Sequence, residues 1–311
     1  MKLNNSIKLA IANFAMFWKI LLYKVIALGI SILFVLPVWG SLKSTFSASG
    51  LNSLIKEMFN APAFQSVSKF VGQMLEILNS FFKGISSLAT NNIILLIYLA
   101  IILLIVIPFL FKLSDVPASE SAYSYMSSLN RNSFTINFIT SLDKSMGYSI
   151  LRAVLEIPFW FIIVGGVYGI LSMGLLSDFT AIISPLLLFI FVVTLLALNS
   201  ALFSGLAPSV VVFNCCASKA LPKGFNAVKR NFFSILSSFS VVMAIIVALF
   251  YIFGVYSLIF IIPFMSLILS VFGQVLFFES QGMDYYISPD KIITPRKLEC
   301  ADSIKKVKNI I

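Results

Sequence analysis

Among the few polar side chains inside the long apolar blocks of this sequence, four are its candidates for chemistry: Arg152, Glu156, Asn199 and Gln274. A charge at the centre of a bilayer costs about 2.5–3.5 kcal/mol on insertion scales, and less near the interface. Such a residue needs a partner or a polar cavity. Arg152 and Glu156 lie one helical turn apart, so they share a face and can pair. Glu156 is the only acid inside the spans delimited below. Two roles follow: the pair neutralises itself and anchors a helix, or Glu156 faces a cavity and meets a cationic group or a proton. Pro158 lends the second some weight, because it leaves the carbonyl near Val154 without its usual donor. For Asn199 and Gln274 an interhelical hydrogen bond is favoured over a substrate contact, since an amide in lipid must find some partner. Gly165, Gly166 and Gly169 are read as sites of close helix approach rather than as a hinge.

Much other chemistry is excluded by residue type. The chain has no histidine, which removes Ser-His-Asp and Cys-His nucleophiles, histidine-bound metals and histidine proton relays. Cys215 and Cys216 are adjacent and Cys300 is remote, which is not the spacing of a zinc or redox motif. There is no GxxxxGK[ST] loop, no HExxH and no GxSxG. No cofactor, no metal and no catalytic set is therefore expected, and the chain reads as a non-enzyme.

The elements that position the four polar residues follow from composition. Hydrophobic residues make up 59% of the 311 residues and charged ones 11%. Soluble domains are about 45–50% apolar and about 25% charged, so lipid must be the solvent for much of this chain. A bilayer core of about 30 Å needs about 20 helical residues. Six blocks qualify: 20–42, 92–112, 151–174, 180–204, 233–253 and 254–278. The last two are one uninterrupted run that must fold back, and Gly254 is the natural turn. Continuous rather than alternating apolarity selects helices over a barrel. The expected fold is all-α: six transmembrane helices in three hairpins over 1–278, then a cytoplasmic tail over 279–311. The basic start of the chain and the lack of a small-x-small site after its first apolar run argue for a retained helix, not a cleaved leader.

The net charge of +10 fits membrane topology better than nucleic-acid binding, because the basic residues flank apolar blocks. Lys and Arg number eighteen in the two termini and the even-numbered loops, against four in the first loop and none in the third and fifth. That bias places both termini in the cytoplasm and the protein in the cell membrane. The first loop, 43–91, carries two amphipathic patterns, Leu51–Phe59 and Phe64–Ile85, which either lie flat on the outer leaflet or cover the bundle as a lid. An aromatic residue, a variable one and Ile-Leu open the first, third and fifth spans (Trp18, Tyr148, Phe233), each after an amphipathic stretch, which suggests three repeated units. In the tail, Tyr285–Ile287 and Ile292–Thr294 read as a strand pair around Ser288–Lys291, and Cys300–Ile311 as a short basic helix. A solvated tail is expected there rather than a docking element.

The segment Lys223-Gly224-Phe225-Asn226-Ala227-Val228-Lys229-Arg230-Asn231-Phe232, leading into a span, resembles the membrane region joined to some bacterial glycerophosphodiesterases. The whole layout, with the tail Gly282–Tyr286 and Ile292–Lys297, is similar to that of uncharacterised bacterial six-helix membrane proteins. The phosphodiesterase domain itself is absent, so the resemblance implies no activity and assigns no functional residue. The expected function is a permease-like or accessory membrane component for a small or lipidic substrate. Its partners would be membrane lipids and a partner membrane protein or ATPase. The alternative is a structural or regulatory scaffold. Topology is directly testable: reporter fusions at Asn60, Asp178 and Gly254 should report outside, and those at Asn130, Lys219 and Ile311 inside. An external fusion signal at Ile311 would require an odd number of spans.

Overall fold

The computed structural model describes residues 2–51, 53–54, 67–127, 133–174, 176–229, 231–253, 257–288 and 291–294. The architecture is all-α and polytopic, with one small hairpin of strands. Six helical stretches are long and apolar enough to cross a bilayer: Phe14–Ala48, Ile93–Met126, Leu142–Gly174, Ile182–Val212, Phe232–Phe250 and Leu258–Gln281. The first four are longer than the apolar blocks and the last two slightly shorter. The first four gain extra turns that are polar or amphipathic and do not register in hydropathy. The turn expected at Gly254, the segment 55–66 and the basic helix expected over 300–311 lie outside the described residues.

Two of these spans are interrupted. The second runs as Ile93–Ile101, a π-helical turn Ile102–Val106 and Ile107–Lys112, then breaks at Leu113–Ser114 before a short helix Asp115–Met126. The fourth breaks after Phe203 and resumes as Leu206–Val212. Each break is followed within a few residues by proline, Pro117 and Pro208, which tolerates a first helical turn but not an interior one. The resumed helices pack on each other and on the sixth span.

The sixth span is the central pillar. Of its core window 56% is buried, against 11–28% for the other five, which leave most of their apolar side chains facing lipid. Its buried run extends from Ser266 to Phe278. On one side Leu267, Val271, Val275 and Phe278 meet Leu9, Phe17 and Ile20 of the chain start and Ala118, Ala122 and Met126. On the other, Phe272 and Leu276 meet Ala197 and Ala201 of the fourth span and Ile235, Phe239 and Met243 of the fifth. The Phe239 and Phe272 rings lie edge to face at 4.8 Å.

Both ends of the bundle carry amphipathic helices, and those at the basic end precede the odd-numbered spans: Lys2–Ala12, Phe134–Thr140 and Ala217–Lys229. The last buries a face of small residues, Ala217, Ala220, Gly224 and Ala227. A Cβ on Gly224 would lie 2.9 Å from the Gly205 carbonyl oxygen, so only glycine lets this helix close over the break in the fourth span. At the opposite end the helix Val67–Asn91 buries Val71 and Leu75 against Leu171 of the third span, with Leu188 of the fourth beside them. It also stacks Phe81 on Phe46 at 5.7 Å. Part of its apolar face is thus covered by protein, while Phe81 and Phe82 stay partly exposed.

The sixth span ends at Gly282, whose left-handed φ of 65° closes the helix. Strands β1 (Tyr285–Ser288) and β2 (Lys291–Ile293) then pair antiparallel. Contrary to expectation, this part of the tail is docked rather than solvated: Tyr285 and Ile287 belong to the core around Leu9 and Val275. The Asn5 amide donates to Tyr285 Oη at 3.0 Å, and Tyr285 Oη donates to Glu279 at 2.9 Å. Burial and then the Glu279 charge raise the Tyr285 phenol above its ordinary range. Alternation supplies the reason, since it turns Tyr285 and Ile287 to one face that the bundle can cover.

The contact made by the helix Val67–Asn91 yields a stability prediction. Val71→Asp should place a carboxylate against Leu171 and lower the unfolding temperature of the detergent-solubilised protein by several degrees, whereas Glu76→Lys on the exposed face should leave it within about 2 °C. Equal unfolding temperatures would mean that this helix does not hold the bundle.

Candidate functional site

The helix break in the second span leaves backbone carbonyls without intrahelical donors, and in lipid these must be satisfied by protein. Neighbouring residues of the first span do so. Tyr23 Oη donates to Leu110 O at 2.7 Å, and Lys24 Nζ donates to Phe111 O. Lys24 also stands 3.6 Å from Asp115, in the first turn of the resumed helix. One helix therefore ends, with its negative dipole end, where a cation from another span sits, and an acid occupies the positive end of the next. Asp115 further accepts from Ser266 Oγ of the sixth span at 3.1 Å and from Tyr148 Oη of the third at 3.5 Å.

A second ionic node adjoins it. Glu156 Oε1 lies 2.6 Å from Arg152 Nη2 and 3.1 Å from Lys112 Nζ. Asn199 joins the two partners: its amide nitrogen donates to Glu156 at 3.5 Å, and its oxygen accepts from Arg152 Nη2 at 3.4 Å. The Arg152 and Glu156 side chains are each 5% exposed, while Lys112 is 24% exposed and Asn199 half-buried, so the buried pair is flanked by two partners nearer the surface. The Arg152 guanidinium carbon sits 3.8 Å from the centroid of the Phe203 ring. Its Nε and Nη1 have no hydrogen-bond partner among the described residues, and the ring stands in for one.

Three of the four residues singled out from sequence are thus brought together, Arg152, Glu156 and Asn199. Gln274 is not with them. Its amide nitrogen donates to Ser119 Oγ at 2.9 Å and to Ser119 O at 3.1 Å, tying the sixth span to the resumed helix. Lys24, Lys112, Asp115, Tyr148 and Ser266 were missed as site residues. In the sequence Lys24 and Lys112 count only toward the charge bias of the N-terminal stretch and the second loop, and Asp115 lies beyond the apolar block that marks the second span. The spacing Lys112-x-x-Asp115 ahead of Pro117 was the available signal. Of Gly165, Gly166 and Gly169, the glycines singled out from sequence, Gly166 meets a neighbour closely, the Phe191 ring, while Gly165 and Gly169 face open space. No group of three metal-ligating side chains occurs among the described residues. Cys215 is half-buried and Cys216 exposed. The Cys216 thiol is drawn below its usual range by the Ser218 hydroxyl and the Lys219 backbone amide.

Fold and site together define an integral membrane protein of six spans, in which spans one, two, three, four and six each lend a side chain to one or other of two adjoining polar nodes. No protein-family model, curated protein or solved structure matches this chain.

Unequal partner numbers predict unequal mutants. Glu156→Leu strands the buried Arg152 cation and should cost about 3–5 kcal/mol, whereas Arg152→Leu leaves Glu156 paired to Lys112 and should cost less. The double change Arg152→Leu with Glu156→Leu should return close to the parent, because half-buried Lys112 can extend to water. Unfolding in detergent measures all three, and equal losses for the two single changes would overturn the assignment of Lys112 to this node.

Proposed function

We propose that this chain is a non-enzymatic, permease-like component of the cell membrane, with both termini in the cytoplasm, that passes a small or lipidic substrate. The observation that carries the reading is the convergence of Lys24, Lys112, Asp115, Tyr148, Arg152, Glu156, Asn199 and Ser266 on an interrupted helix. Transporters place polar groups from several spans at such interruptions, because broken helix ends can exchange partners at little cost. The network fastens the basic end of the bundle and acts as its closed gate. A substrate group that offers one of these charges an alternative partner would release it. The absence of histidine from the sequence, and the engagement of Asp115 and Glu156 by cations rather than by each other, favour this reading over a hydrolytic one. An ATPase or second membrane protein supplies the drive or completes the pathway.

One observation favours the alternative, a structural or regulatory scaffold: both acids already have partners within the chain, so the network also serves to hold five spans in register. Cysteine accessibility separates the two. In a background with Cys215, Cys216 and Cys300 changed to Ala, Ser200→Cys reports on the buried side of the fourth span. Under the permease reading, adding Lys24→Leu and Asp115→Leu should raise its labelling by a membrane-impermeant maleimide applied at the cytoplasmic face at least severalfold, at a temperature where the variant is still folded by circular dichroism. Unchanged labelling in a folded protein favours the scaffold.

A further inference from the structure

Between the helix Ala217–Lys229 and the end of the sixth span lies a cavity of about 280 Å³, lined by Phe213, Lys223, Asn226, Ala227, Ser280 and Gln281. We propose that this cavity binds the phosphate-bearing headgroup of an anionic lipid in the leaflet at the basic end of the bundle. Three observations converge on that class of ligand.

Charge is the first. Between Asp178 and Glu279 the sequence contains no carboxylate, yet this stretch carries Lys219, Lys223, Lys229 and Arg230. Lys219, Lys223 and Lys229 are all exposed on the same helix, and none pairs with an acid among the described residues. An unneutralised cationic helix face raises the local concentration of anions.

Site construction is the second. The Lys223 ammonium is held 4.0 Å over the centroid of Phe213, whose ring is itself fixed edge-on against Phe277 at 5.8 Å. The cation is therefore placed by an aromatic ring and keeps its hydrogens for a ligand. Asn226 and Gln281 add amide donors from the two walls, while the Ser280 hydroxyl is committed to the Phe277 carbonyl at 2.9 Å. One ammonium with two amides suits the oxygens of a phosphate.

Position is the third. The helix buries its small residues in the bundle and turns its lysines outward, the pattern of a helix lying in a headgroup layer. The fifth span starts directly after it, with Phe233 83% exposed toward lipid. A lipid bound by this helix would carry its acyl chains toward the apolar span that follows it in sequence. A soluble phosphate ester shares the chemistry but gains nothing from this neighbour. The site is independent of the permease reading and holds for a scaffold as well.

The test titrates the purified full-length protein in neutral detergent with short-chain phosphatidylglycerol, short-chain phosphatidylcholine and sn-glycerol 3-phosphate, read by native mass spectrometry. Phosphatidylglycerol should bind most tightly. Lys223→Gln should weaken it about fivefold, the effect expected of one lysine at an anionic surface. Lys223→Arg should retain it, and Asn226→Ala should weaken it in the same direction, all at unchanged unfolding temperature. Lys83→Gln, at the opposite end, should have no effect. A loss on Lys223→Gln no greater than on Lys83→Gln, or phosphatidylcholine bound as tightly as phosphatidylglycerol, would overturn the site. Glycerol phosphate bound as tightly as phosphatidylglycerol would overturn the lipid assignment in favour of a soluble phosphate ester.

Discussion

The break in the second span is the constraint on which the remaining structure depends. A helix that stops where its last turn is buried in the bundle leaves carbonyls that no water satisfies, each at a cost of several kcal/mol unless another element supplies a donor. Here the cost is met from outside the helix. Tyr23 and Lys24 reach across from the first span to Leu110 and Phe111. Placing the Lys24 cation there creates the need for an anion, which Asp115 supplies from the resumed helix. Asp115 in turn draws in Tyr148 and Ser266, and so the third and sixth spans. A local backbone problem thereby becomes a tie between four spans, and Glu156 with its three partners extends it to the fourth.

Such ties matter more here than in water. Lipid tails are as apolar as leucine, so apolar burial does little to pull spans together, and association rests on close packing and on polar contacts. The cluster contains three cations and two acids, Lys24, Lys112 and Arg152 against Asp115 and Glu156. A buried ion pair is weak support for stability on its own, because desolvation offsets most of the attraction. Its stronger effect is on specificity: any slip of one span against another would strand a charge. Close packing does the complementary part. Gly224 and Gly205 let the amphipathic helix seal the second break, and the sixth span fills the middle with side chains from Ser266 to Phe278.

Composition and apolar run length alone determined that this is a six-span helical membrane protein, because the need to satisfy the backbone in lipid leaves few alternatives. The tail strands were also legible as local periodicities, and so was an amphipathic stretch ahead of each odd-numbered span, but not its bounds: Ile7–Phe17, Phe134–Met146 and Phe225–Phe232 are expected, against helices Lys2–Ala12, Phe134–Thr140 and Ala217–Lys229. The pairing of Arg152 with Glu156 was legible for the same reason, being one turn of a single helix. Which residues from different spans meet was not. Lys24 and Phe111 are 87 positions apart, and Ser266 and Asp115 are 151 apart, and hydropathy ranks all four only by their distance from lipid. The true extent of the second span was hidden too, because Asp115–Met126 is nearly as polar as a loop and is helical only through its burial among the sixth span, the N-terminal region and the resumed fourth span. Docking of Tyr285 followed from a partner, Asn5, at the far end of the chain. In each case the deciding energy lies between elements, where desolvation and hydrogen-bond geometry depend on distances that only the folded chain creates.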